Sequence, residues 1–257
     1  MYRQQELVEL LSGAKRILVV TGAGISTASG IPDFRGPAGV WKRRAPVYHQ
    51  EFMASEEKRV EYWDYKAEGH PLFSTAKPTP VHEAVVQLER LGRVQALVTQ
   101  NIDGLHQAAG SSHELVLELH GTNRFVECVR CGALSEPGPA VERFLRERKT
   151  PCCDCGGWLK FATISFGQML RPELLERAWR EAEAADLVLA MGSSLSVQPA
   201  AAIPLVTARR GNPYIIINQG PTDHDGLADL RLDGNVQEIF PPAVAKLAEG
   251  QPEEAIG

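Results

Sequence analysis

Five short apolar runs constrain this chain more than any other feature: RILVVT (16–21), VQALVT (94–99), LVLEL (115–119), DLVLAM (186–191) and YIIIN (214–218). Each is almost continuously apolar, with little of the in–out alternation of a half-exposed strand. That is the pattern of strands covered by helices on both faces, as in a parallel sheet. Helical patterns lie between them. TPVHEAVVQLERLG (79–92) has a threonine N-cap candidate, a proline in its first turn and a terminal glycine, and QPAAAIPLVTARRG (198–211) also ends on glycine. The first sixteen residues, MYRQQELVELLSGAKR, read as an amphipathic helix. The expected fold is therefore a doubly wound α/β domain. At 257 residues the chain suits one large domain carrying a smaller inserted module.

Two stretches break the alternation. Residues 32–75 are rich in Trp, Tyr, Pro and charge, with a helix expected over 56–69, and residues 122–165 contain all five cysteines. Both read as excursions that together build the smaller module. The predicted partition is 1–31 with 76–121 and 166–257 for the large domain, and 32–75 plus 122–165 for the small one.

Every apolar run ends in glycine or small polar residues: GAGIS, QNIDG, HGT, GSSLS and QG. Any single strand-to-helix loop looks like this, but five together suggest one large polar ligand beyond the carboxyl ends of the strands. TGAGISTASGIPDFRG (21–36) departs from the common dinucleotide fingerprint, because Thr27 stands where a third glycine belongs. A tight strand-to-helix turn would need the same small residues; the downstream Asp33, Phe34 and Arg35 favour a nucleotide instead, since arginine suits phosphate and an aromatic ring covers a flat group. Gln100, Asn101 and Asp103 could include a helix cap. Three such side chains in four positions point rather to recognition of a polar group such as a carboxamide. His120, at a strand end before Gly121, is the histidine best placed to act as a general base.

Cys128-x2-Cys131 and Cys152-x2-Cys155, separated by twenty residues, follow the four-thiolate zinc pattern. A redox motif would need only one such pair. On this spacing Cys153 is the spare. A site filled by four thiolates leaves no place for water or substrate, so the zinc would be structural. The formal charge of −5 gives no electrostatic reason to expect a nucleic-acid partner. No apolar run reaches the roughly 20 residues that span a bilayer, and no signal-peptide core is evident, so the expected location is the cytoplasm.

GAGIS-x3-GIPDFRG, TQNID, HG before a four-cysteine insert, then FG, GSSLSV and a strand ending in Asn are together similar, in order, to the sirtuin NAD-dependent protein deacylases. The resemblance runs from about residue 16 to residue 240. It implies a Rossmann-type NAD domain with a small domain of helices and a zinc ribbon, and an acyl-lysine substrate, with the acyl group passing to ADP-ribose as nicotinamide leaves. It implies catalytic roles for His120 and Asn101. It places NAD against Gly22, Ala23, Gly24, Ile25, Ser26, Asp33, Phe34, Arg35, Gln100, Asn101, Ile102, Asp103, His120, Gly192, Ser193, Ser194, Asn218, Gln219, Gly220 and Val236. Substrate peptide would meet Ile164, Ser165, Phe166 and Gly167. Phe161 and Gln168 replace the proline and acid usual in that stretch. Sirtuins that prefer acidic acyl groups carry Tyr-x-x-Arg in the helix before TQNID, where this chain places Trp63 and Lys66. Deacetylation is the expected main activity, with removal of longer or acidic acyl groups the alternative, and the enzyme is expected to be a monomer. An ADP-ribosyltransferase or NAD glycohydrolase, a zinc-ribbon binding module and a hydride-transferring dehydrogenase are the competing readings.

Overall fold

A computed structural model describes residues 2–33 and 45–250. The five apolar runs form β1 (Ile17–Thr21), β2 (Val94–Thr99), β3 (Val116–Glu118), β7 (Leu187–Met191) and β8 (Tyr214–Asn218). With β9 (Leu230–Asp233) they make a six-stranded sheet of order β3-β2-β1-β7-β8-β9, parallel throughout. Alternate side chains enter two separate cores. Ile17 and Val19 of β1, Leu187 and Leu189 of β7, and Ile215 and Ile217 of β8 pack on one face. Leu18 and Val20, Val188 and Ala190, and Tyr214 and Ile216 pack on the other. Burial on both faces is why the runs read as continuously apolar.

Helix α1 (Tyr2–Gly13) buries Leu7 and Leu11, one turn apart, in the first core, with α4 (Pro80–Arg90) and α9 (Val236–Glu249). Helices α7 (Pro172–Ala184) and α8 (Ile203–Arg209) cover the second. Thr79 caps α4 as expected, its partner in a capping box being His82. The helix expected over 198–211 starts later, at Ile203, after a 3₁₀ turn at Ala200–Ala202. No α-helix follows GAGIS directly; the chain makes two 3₁₀ turns, Ala23–Ile25 and Thr27–Ser29.

The smaller unit has an antiparallel sheet of β5 (Leu134–Ser135), β4 (Gly121–Cys128) and β6 (Leu159–Thr163). Helices α2 (His49–Ala54), α3 (Glu56–Thr75) and α6 (Pro137–Glu147) pack with it around Phe52, Trp63, Val126, Phe144 and Phe161. Helix α3 runs past the predicted residue 69, carrying Pro71 within its last turns. Among the described residues no helix is long and apolar enough to cross a membrane.

The chain leaves the large sheet after β3 and enters the small one at Gly121, so His120 lies between the two sheets. Gly121 pairs with Thr163 across β4 and β6, and the Ile164 amide donates to the His120 carbonyl at 2.8 Å, joining the outgoing and returning crossings. Gly121 has φ of +73°, and a Cβ there would lie 2.1 Å from the Ala162 carbonyl oxygen. We expect Gly121→Ala to cost at least ~1–2 kcal/mol from the left-handed backbone alone. A thermal midpoint equal to wild type would show that the crossing tolerates a side chain.

Candidate active site and metal centre

The strand order reverses at β1, whose neighbours are β2 and β7, and that switch point is where α/β sheets open a ligand crevice. A cavity of about 910 Å³ lies there. Of the predicted NAD contacts, Gly22, Ala23, Gly24, Asp33, Gln100, Asn101, Ile102, His120, Gly192, Ser193, Ser194, Asn218, Gln219, Gly220 and Val236 line it. Ile164, Ser165, Phe166, Gly167 and Lys66 line it as well. Ile25, Ser26 and Asp103 lie behind the wall, and Phe34 and Arg35 fall outside the described residues.

The glycines of the first loop do more than leave room for a ligand. Gly22 N–H donates to Met191 O at 3.0 Å and Gly24 N–H to Gly192 O at 2.8 Å, so these two donors are not available to a diphosphate. A Cβ on Gly22 would approach Gly192 O to 2.7 Å, and one on Gly24 would approach Gly192 Cα to 2.7 Å. The small residues let two strand-end loops pack backbone on backbone.

Behind that wall, Asn101 Nδ2 donates to Ser26 Oγ at 3.2 Å, and Ser26 Oγ donates to Asp103 Oδ2 at 2.8 Å. Asp103 Oδ1 accepts from Leu105 N–H at 2.9 Å. Burial raises the Asp103 carboxyl above its usual range, against these hydrogen bonds. Gln100 Nε2 donates to Ser193 Oγ at 3.0 Å, tying the β2 loop to the β7 loop. Four hydrogen bonds are thus spent on holding the loop, which leaves the outward faces of Gln100, Asn101 and Ile102 at the cavity.

His120 Nδ1 lies 3.1 Å from Gln100 O. A carbonyl oxygen only accepts, so Nδ1 carries the proton and Nε2 has the lone pair. Burial lowers the His120 pKa below the ordinary 6.5, with the Gln100 bond opposing it. Neutral imidazole is therefore the resting form near pH 7, which is what a general base requires.

Helix α3 turns the two predicted acyl-chain residues in different directions. Tyr62, Tyr65 and Lys66, spaced three and four apart, line the cavity. Trp63 turns away: it is fully buried, donates from Nε1 to Leu159 O at 3.0 Å and packs on Phe144 and Phe161. Its predicted substrate role is corrected to a core role. Lys66 Nζ donates to Asn123 Oδ1 at 2.9 Å and Thr163 Oγ1 at 3.3 Å. Burial, with Lys160 nearby, pushes its ammonium down to about 7. Tyr62 and Tyr65 were not chosen from the sequence; the 3.6-residue periodicity around Lys66 was the signal that could have found them. Gln168, which stands in place of an acid, accepts the Ser165 N–H at 3.2 Å and closes the 165–168 turn.

The cysteines also need one correction. Cys128, Cys131, Cys153 and Cys155 bring their sulfurs within 4.8 Å of one another. Cys128–Cys155 and Cys131–Cys153 are 3.5 and 3.8 Å apart, close to the ~3.8 Å edge of a tetrahedron with ~2.3 Å Zn–S bonds. Arg130 N–H and Gly157 N–H point at Cys128 Sγ and Cys155 Sγ, so the donor set suits one structural zinc ion. Cys152, not Cys153, is the spare. Cys152 forms a bridge with Trp158 and turns its Sγ to Thr150 O. In extended chain the next side chain points to the opposite side, so Cys153 faces the cluster. We expect Cys153→Ser to lose bound zinc and Cys152→Ser to keep about one ion per chain; metal analysis of the two purified variants decides it.

The Sir2 family model matches residues 22–199. The chain belongs to the Sir2 family. It is 43% identical over 240 residues to the NAD-dependent protein deacetylase 1 of Bradyrhizobium diazoefficiens, covering 93% of this chain and 94% of that one. It is 38% identical over 239 residues to the NAD-dependent protein deacylase 1 of Archaeoglobus fulgidus, covering 92% and 94%. Among solved structures, a Sir2 protein with a deacetylated p53 peptide and 3′-O-acetyl ADP-ribose superposes with a TM-score of 0.88 at 36% identity, over 96% of this chain and 98% of that one. A Sir2 homologue–NAD complex gives 0.85 at 36% identity, over 95% and 94%.

Proposed function

We infer that this Sir2-family chain is an NAD-dependent protein-lysine deacetylase that passes the acetyl group to ADP-ribose and releases nicotinamide. One observation carries the reading. A single cavity runs from Asn218–Gly220, past Gly22–Gly24 and His120, to Lys66 and Phe166, so a dinucleotide and an acyl-lysine side chain can meet inside it. Relatives and structural neighbours named for deacetylation, NAD and acetyl ADP-ribose support the same chemistry.

In this reading Asn218–Gly220 take the adenosine end, the β1 and β7 loops the diphosphate, and Gln100–Asp103 the nicotinamide ribose and carboxamide. The acyl oxygen attacks C1′ of that ribose as the nicotinamide bond breaks. His120 Nε2, with its lone pair held toward the cavity by the Nδ1–Gln100 bond, then takes a proton from a ribose hydroxyl. That hydroxyl attacks the acyl carbon, and water completes the release of lysine. The tyrosines of α3 and the Thr163–Gly167 segment wall off the acyl chain.

Wild-type enzyme with acetyl-lysine peptide and NAD is expected to yield nicotinamide and O-acetyl-ADP-ribose by mass spectrometry. His120→Ala should lose about 10²–10⁴-fold in turnover. Nicotinamide release that needs no acyl-peptide would instead indicate a glycohydrolase. Because burial depresses the His120 pKa, the base form persists below pH 6.5 and is lost as pH falls through the lowered value. The acid limb of kcat/KM should therefore lie below 6.5, and a limb above it would remove His120 as the base.

Lys66 favours a second reading, minor activity on acidic acyl groups. Its amine faces the acyl end with hydrogen bonds to Asn123 and Thr163, and among the described residues no carboxylate pairs with it. A carboxylate arriving there would restore the ammonium form. Lys66→Met should lower kcat/KM on succinyl-lysine about tenfold more than on acetyl-lysine, as loss of a charged hydrogen bond implies; equal losses would mean that Lys66 only shapes the pocket.

A further inference from the structure

Arg231 lies in β9, one of the two edge strands of the large sheet, between Leu230 and Leu232, whose side chains enter the core. Alternation turns Arg231 to the opposite face, where its side chain is 17% exposed. There the guanidinium fork is spent on one short stretch of chain. Nη1 donates to Asn218 O at 3.0 Å and Leu232 O at 2.5 Å, and Nη2 to Gly220 O at 2.5 Å. Nε donates to Asp225 Oδ1 at 2.7 Å. Asp225 in turn accepts from Thr222 N–H and Oγ1, and Asp233 Oδ1 accepts Gly220 N–H at 2.9 Å. The Asp223 amide donates to Ser194 O at 3.0 Å, which fastens the same loop to the end of β7.

These bonds converge on the carbonyls of Asn218 and Gly220, two residues of the cavity wall. Arg231 itself does not line the cavity. We propose that Arg231 is a positioning residue for the adenosine end of NAD, holding the Asn218–Gly220 wall in its binding shape before the co-substrate arrives. The proposal rests on reading that wall as the adenosine end. A lysine could not do the same work, because a point charge cannot serve three carbonyls and a carboxylate at once. A wall ordered in advance spares the ligand the cost of ordering it, so the effect should appear in affinity. His120 and the acyl channel lie further along the cavity, beyond Gly22–Gly24, so chemistry should be spared.

The test compares wild type with Arg231→Gln and Arg231→Lys, each checked for folding by thermal denaturation. Binding of ADP-ribose is measured by calorimetry, together with steady-state constants and inhibition by nicotinamide. The Gln variant should raise the ADP-ribose Kd and the NAD KM about tenfold, with kcat, peptide KM and the nicotinamide inhibition constant within about twofold. The Lys variant should lie nearer to Gln than to wild type. If Arg231→Gln does not fold, Asp225→Asn, which removes one acceptor at the rim of the loop, should raise the same two constants about threefold. A folded Gln or Asn variant with wild-type ADP-ribose affinity, or one whose kcat falls while KM holds, overturns the proposal alone. Wild-type protein that turns over acetyl-peptide yet binds ADP-ribose without involving this wall, as judged by unchanged Kd on Asn218→Ala, overturns the assignment of the adenosine end and the proposal with it.

Discussion

The double crossing between the two sheets is the constraint on which the site depends. The chain passes from the parallel sheet into the antiparallel one at His120–Gly121 and returns at Thr163–Ile164, and the Ile164 amide bonds the His120 carbonyl. A left-handed glycine with no room for a Cβ lets the two crossings touch. The His120 imidazole is thereby carried on the joint itself. A rotation of one unit against the other would move His120 and the returning Thr163–Gly167 segment of the cavity wall together.

Around that joint the protein uses buried polar groups to hold loops, and leaves their outer faces for ligand. The Asn101–Ser26–Asp103 chain and the Gln100–Ser193 bond lie behind the cavity wall. Deeper still, His106 Nε2 reaches Thr21 Oγ1, and Thr21 Oγ1 donates to Thr99 Oγ1, linking the ends of β1 and β2. Burial drives the pKa values of His82 and His106 down, so this layer stays neutral at physiological pH. The four-cysteine site lies at the outer end of the small sheet, where β4 ends at Cys128.

The parallel strands were legible because burial on both faces leaves continuous apolar runs. The edge strand β9 was not, since it covers one face only and alternates leucine with arginine and aspartate. The same alternation that hid the strand turned Arg231 toward the carbonyls of Asn218 and Gly220, behind the cavity wall. The glycine-rich loops were legible as a dinucleotide region, but two of their amides turned out to bind the neighbouring loop. Trp63 and Cys152 were misplaced for related reasons. Spacing along the chain matched a known pattern, whereas the helix face at Trp63 and the extended bridge at Cys152 sent those side chains the other way.

The sequence by itself determined the doubly wound core, the order of the ligand loops, His120 as the base candidate and the presence of a four-thiolate site, because these follow from local periodicity, loop chemistry and short-range motifs. Tertiary structure alone decided which cysteine completes the four-sulfur cluster, which α3 side chains reach the cavity, which tautomer His120 holds and what Arg231 grips. Each of those depends on the direction a side chain points across an interface between distant segments. Direction is set by backbone pairing and packing partners that linear spacing does not encode.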